Sequence, residues 1–195
     1  MSESVVESVA EHLAREFSGS PQRASVTFLG VEPIDVLRFV VEPPGLVYAT
    51  LGCSRHPMND PEDLSADPVR GPRAEVVMRI AGLADLPGLH RTLAVVAAAP
   101  AVEGLVLSPD ALMDIGEPLW AGAAFSAVVL EPDSTPDCPL PEPMSPVRFL
   151  RAVPVTANEA AWVRLRGVQA LRAAWSEAGI DPADPTRVAA DLGDH

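Results

Sequence analysis

The side chains best suited to chemistry in this chain stand between Cys53 and Glu75. Cys53-Ser54-Arg55-His56 places a thiol and an imidazole three residues apart. Either could ligate zinc, and a thiol beside an imidazole is the arrangement of an activated nucleophile. A structural zinc site wants four ligands, however. The other cysteine, Cys138, lies in a proline-rich stretch, and His12, His90 and His195 have no partnering spacing. The reading from residue types is therefore that Cys53 is a small packed side chain at a strand end. Glu75 shares a strand face with Arg73 and Arg79, so a cross-strand salt bridge is expected of it rather than acid–base catalysis. Asp60, Glu62, Asp63 and Asp67 crowd one loop and read as solvated charge. An alternative stays open: a small-molecule or metal-binding enzyme centred on Cys53, His56 and Glu75. No Gly-rich dinucleotide fingerprint, Walker sequence or G-x-S-x-G elbow is present, and Ser108-Pro109-Asp110 and Gly116-Glu117-Pro118 read as turns. The expectation is no catalytic, metal or cofactor residue.

Charge narrows the choice of partner. The 195 residues carry 27 acidic and 14 basic side chains, all of the latter Arg, for a net charge of −13. Phosphate neutralisation needs the opposite sign, so nucleic acid is an unsuitable partner. Between Thr92 and Val147 there is neither Arg nor His, while Glu103, Asp110, Asp114, Glu117, Glu131, Asp133, Asp137 and Glu142 are all acidic. Arg148, Arg151, Arg164, Arg166 and Arg172 follow, against the lone Glu159. One reading is an acidic segment and an Arg-bearing helix that neutralise each other. The other is a negative surface, residues 103–142, that steers a basic protein. In the same segment Trp120, within Pro-Leu-Trp-Ala-Gly, is the candidate exposed anchor. Trp162 and Trp175 sit on a helix whose Leu165, Val168 and Leu171 read as core.

These residues need elements to hold them. Val5, Val9, Leu13 and Phe17 recur on one face of a helix over 4–17. Strands are expected at Ser25–Leu29, Ile34–Val41 and Leu46–Leu51, the last two joined by a Pro43-Pro44-Gly45 turn. A loop with four prolines runs from His56 to Pro72. Arg73–Ile80 alternates as a strand, and Asp85-Leu86-Pro87 reads as the start of a helix ending at Pro100. Phe125–Leu130 and Val147–Val153 are further strands, separated by an extended loop, Glu131–Pro146, that carries six prolines. Thr156 and Glu159 form a capping box opening one long helix through Ala178. Strands that follow one another without intervening helices predict an α+β domain, with a mainly antiparallel sheet and helices packed against it. The domain is expected over 1–180, with 181–195 a flexible tail. No apolar run approaches the roughly 18 residues of a membrane span, and no basic, apolar leader opens the chain, so a cytoplasmic location is expected.

The order of several short motifs then carries a resemblance. Thr50-Leu51-Gly52-Cys53-Ser54 follows a Tyr-containing strand, with Met58 close behind. A strand opens Arg73-Ala74-Glu75, a Leu-Pro helix follows, and Phe125-Ser126 leads to Glu131-Pro132. Phe149-Leu150-Arg151 and Asn158-Glu159 complete the series. From about Val26 to Gly179 the chain resembles a bacterial member of the Suppressor of fused (SUFU-like) domain family. The resemblance implies an α+β domain without an established catalytic site. It implies protein binding: eukaryotic relatives sequester a transcription factor by adding its peptide as a strand, and bacterial relatives are regarded as immunity proteins against toxins. It also places Thr50, Gly52, Ser54 and Glu75 on recurrent family positions. The expectation is a non-enzymatic module that sequesters a protein, basic or a toxin. The acidic residues Glu103, Asp110, Asp114 and Glu117 would supply electrostatics, Trp120 an anchor, and a sheet edge or groove at Thr50–Met58 the shape.

Overall fold

A computed structural model of the chain describes residues 2–62 and 64–193, so Asp63 of the acidic loop lies outside the described residues. Seven strands form one sheet: β1 (Gln22–Phe28), β2 (Val31–Val41), β3 (Gly45–Leu51), β4 (Arg73–Ala81), β5 (Leu112–Asp114), β6 (Phe125–Pro132) and β7 (Val147–Thr156). Their order is β1-β2-β3-β4-β7-β6-β5. Every pair is antiparallel except β4 with β7, which the chain joins only after passing through a helix and two strands. The α+β architecture expected from the sequence is the one observed.

The strand period of two sorts the sheet into two apolar faces. Val36, Tyr48, Val76, Met78, Leu130 and Leu150 point to one face, covered by α2 (Leu89–Glu103) through Leu89, Leu93, Val96 and Ala97. The intervening positions point to the other face. There Leu37, Val47, Val77 and Phe149 meet Val5, Val9 and Leu13 of α1 (Ser2–Phe17). Further along the same face, Val129, Val153 and Val155 meet α3 (Ala157–Arg166) and α4 (Val168–Ala178) through Val163, Leu171 and Trp175.

Three expectations are corrected. The second helix starts after Gly88, whose left-handed φ of 93° ends the Leu-Pro turn, and it passes through Pro100 to Glu103. Pro100 removes a single ladder bond near the end of the helix, and the Gly104 amide caps the Pro100 carbonyl at 3.1 Å. The last helix is two helices. Gly167, at φ 84° and ψ 165°, holds a conformation suited to glycine and breaks the chain between α3 and α4, which leaves Leu165 exposed rather than in the core. The loop read as extended over Glu131–Pro146 is pinned at Cys138, whose backbone exchanges two 2.9 Å bonds with Val147 and whose side chain is buried in the α1 cluster. Within the stretch read as a flexible tail, Arg187 and Ala190 are buried.

Candidate partner-binding site

β3 and β4 pair in regular register only as far as Ala49 and Val77. Beyond that point side chains replace the ladder. The Thr50 hydroxyl accepts the Val76 amide at 2.8 Å and donates to Glu75 Oε2 at 2.7 Å. Glu75 Oε1 accepts the Gly52 amide at 2.8 Å, the Ser54 amide at 3.0 Å and the Ser54 hydroxyl at 2.6 Å. A fully buried carboxylate is thereby satisfied by four donors, each a charge-assisted bond. Gly52 occupies φ 130°, and a Cβ there would lie 2.8 Å from Arg55 Nη1 and 3.1 Å from the Pro33 carbonyl. The chain then makes one 3-10 turn, Cys53–Arg55, whose carbonyls at Ser54 and Arg55 accept from Arg73 Nη1 at 2.7 and 2.8 Å.

This geometry corrects the role expected of Glu75. It pairs with neither Arg73 nor Arg79, which share its strand face. Arg73 clamps the turn, and Arg79 forms a two-pronged pair with Asp133 at 2.9 and 2.7 Å. Thr50, Gly52, Ser54, Met58 and Glu75 are all buried, so they build the turn without forming a contact surface. Nor is this a sheet edge, since β3 lies between β2 and β4. What the turn presents is exposed His56 between half-buried Arg55 and Pro57. Arg55 donates to the Pro33 carbonyl, and His56 Nε2 lies 2.9 Å from Glu32 Oε2. A narrow hollow on one side of this turn reaches Ala97 and Pro100 of α2. On the other, a hollow of about 320 Å³ reaches Val5, Val69, Met144 and the buried Arg73.

Cys53, His56 and Glu75 do not converge as an enzyme centre would require. The imidazole is out on Glu32, while burial first and the Glu75 charge second push the Cys53 thiol well above its ordinary value. That is the reverse of an activated nucleophile. Among the described residues no three His, Cys, Asp or Glu side chains are grouped to hold a metal ion. No helix among them is long and apolar enough to cross a membrane.

The acidic segment is largely answered by arginines. Asp110 pairs with Arg172 at 2.7 Å and Asp114 with Arg164. Glu131 lies 3.5 Å from Arg151 and 3.4 Å from Arg172. Burial raises the Asp133 carboxyl, but hydrogen bonds from Arg79 and Thr135 outweigh it and hold the group below the usual carboxylate range. Glu103, Glu117, Asp137 and Glu142 make no ion pair among the described residues. Trp120, expected as an exposed anchor, is buried with its ring centroid 5.4 Å from that of Phe125.

Sequence reasoning missed two residues that shape the molecule. Arg73 is the turn clamp, and its only linear signal is its position two residues before Glu75. Arg187 donates to Glu159 Oε1 and Oε2 at 2.8 and 3.0 Å and to the Pro154 carbonyl at 2.8 Å. Glu159, read only as a helix cap, also accepts from Trp175 Nε1 at 2.9 Å and the Ala190 amide at 3.1 Å.

The chain has relatives of known structure. The model of a family described as Suppressor of fused protein (SUFU) matches residues 30–188. A SUFU homolog from Neisseria gonorrhoeae is similar with a TM-score of 0.61 and 20% identity, covering 94% of both chains. The crystal structure of a Sufu-Fu complex is similar with a TM-score of 0.65 and 14% identity, over 95% of this chain and 91% of that one. Drosophila Suppressor of Fused gives 0.64 and 15%, with 95% of this chain matching 50% of that chain. No curated protein sequence matches.

Proposed function

The chain belongs to the Suppressor of fused family, and from that premise we propose that it is a non-enzymatic protein-binding module that sequesters a protein partner through the Arg55–Pro57 turn. One observation carries this reading: a buried carboxylate and a buried guanidinium are both committed to fixing a turn that presents Arg55 and His56 between two hollows. A rigid, preorganised surface loses little freedom when a partner docks, which is the use such a lock has in binding. A similar fold is seen in a Sufu-Fu complex, which supports a protein as the partner. The net charge of −13 favours a basic partner at long range, as in an immunity protein acting on a basic toxin. Glu103, Glu117, Asp137 and Glu142 supply that field, since they make no ion pair among the described residues. The working compartment in this reading is the cytoplasm.

The reading is tested by affinity capture from the native lysate at low salt, with the wild-type chain and an Arg55→Ala/His56→Ala variant side by side. It requires a stoichiometric protein that the wild type retains and the variant releases. No stoichiometric protein, or equal retention by both, contradicts it.

A further inference from the structure

A second site lies on the α2 face of the sheet, away from the Arg55–Pro57 turn. Gln22, Arg38 and Tyr48 are successive cross-strand partners on β1, β2 and β3. They line a hollow of about 620 Å³ walled by the Asp85–His90 segment that leads into α2. Its volume is within the roughly 300–1,000 Å³ typical of small-molecule sites.

Three observations converge on an anionic group in it. Tyr48 is only 6% exposed as a residue, but its hydroxyl keeps some exposure where Tyr48 lines the hollow and makes no hydrogen bond among the described residues. A phenol hydroxyl that no protein group engages is free to bond a polar group that enters the hollow. Arg38 donates one Nη to Gln22 Oε1 at 3.0 Å and has no carboxylate partner among the described residues. α2 opens at Gly88 without a side-chain cap or an acidic residue in its first turn. The amides of Gly88 and His90, which both line the hollow, have no backbone partner among the described residues. The positive end of a 15-residue helix thus borders the hollow with no acidic residue in its first turn.

We propose that this hollow binds the carboxylate of a small amphipathic organic acid. The carboxylate takes Arg38, the Tyr48 hydroxyl and the N-terminus of α2, while the apolar body lies on Ala24, Val36 and Leu86. Arg23 at the rim is already paired with Asp35, and Asp85 is an exposed acid. One available guanidinium beside one acid suits a monoanion and works against a phosphate dianion. The site is independent of the partner-binding reading, because it uses none of the residues of the turn.

The test is an amide-resolved NMR titration of the full chain with two probe acids, 4-phenylbutyrate and hexanoate. The controls are the neutral 4-phenylbutanamide and inorganic phosphate. Saturable shifts at Gly88, Leu89 and His90 are expected with at least one acid. Binding should weaken at least tenfold for the amide and for Arg38→Gln, and severalfold for Tyr48→Phe, which removes only an oxygen and keeps the ring in the core. The amide signals of residues 52–56 should stay in place in both variants and report an intact fold. If Arg38→Gln does not fold, Tyr48→Phe alone decides. No saturable shift with either acid, equal binding of acid and amide, tighter binding of phosphate, or full binding by a folded variant overturns the proposal.

Discussion

Arg73 and Glu75, two residues apart on one face of β4, grip the two poles of the same turn. The guanidinium takes the carbonyls of Ser54 and Arg55, and the carboxylate takes the amides of Gly52 and Ser54. Neither charge touches the other directly; the backbone of one turn is poised between them. The consequence for function is that half-buried Arg55 and exposed His56 stand on a fixed support.

Replacing Glu75 by Gln keeps the volume and removes the charge. One side-chain oxygen then becomes an NH₂ that faces donors. A loss of about 2–4 kcal/mol in unfolding free energy is expected, the scale for breaking a buried, charge-assisted network. Urea denaturation of the variant checks it, and a loss under about 0.5 kcal/mol, the range of an ordinary surface change, would mean that the lock bears no load.

Gly52→Ala adds a methyl to a residue at φ 130° with a backbone oxygen 3.1 Å away. A cost of about 1–3 kcal/mol is expected from the backbone strain, with altered amide shifts confined to residues 50–58. Unchanged stability would show that the turn relaxes freely.

Glu159 gives stability a pH dependence. Burial raises its pKa, but bonds from Arg187, Thr156, Trp175 and Ala190 outweigh burial, and the carboxyl is held below its ordinary value. A depressed folded-state pKa means the unfolded chain takes up the proton first as pH falls. The stabilisation is therefore complete above the unfolded carboxylate range and is lost progressively below it, down through the folded pKa. Arg187→Met strands the buried carboxylate and should cost about 3–5 kcal/mol at neutral pH. The gap from wild type should narrow in acid. A gap that stays constant down to acid unfolding would deny the linkage.

How much of this could be read beforehand depends on the range of each interaction. Val5, Val9 and Leu13, the alternation along β4 and the Thr156–Glu159 box are local patterns, and the structure shows all three. The partners of Glu75 are 21 to 25 residues away, at the end of β3 and in the turn that follows it, and nothing in its own strand points to them. Its neighbours Arg73 and Arg79 were the visible candidates, and both turned elsewhere. Trp120 sits among turn residues yet packs on Phe125 from the next strand. The acidic segment looks unopposed in linear order, but folding lays Arg79, Arg151, Arg164 and Arg172 across it. Gly167 broke a helix that the apolar spacing alone would have continued.

The thiols separate a packed role for Cys53 from a catalytic one. Burial raises both Cys53 and Cys138, with Glu75 adding to the shift at Cys53 and Arg15 opposing it at Cys138. Alkylation by iodoacetamide at neutral pH should be far slower in the native protein than in the denatured chain at both positions. Rapid native labelling of Cys53 would reopen the enzyme reading.

The central claim is that the turn held by Arg73 and Glu75 receives a protein partner through Arg55 and His56. Once a stoichiometric partner is in hand, the most direct measurement is its calorimetric affinity for wild type and for Arg55→Ala/His56→Ala. Both side chains are outside the core, so the variant should unfold within about 0.5 kcal/mol of wild type per substitution. The account predicts affinity lower by tenfold or more in the folded variant; affinity unchanged in that variant would contradict it.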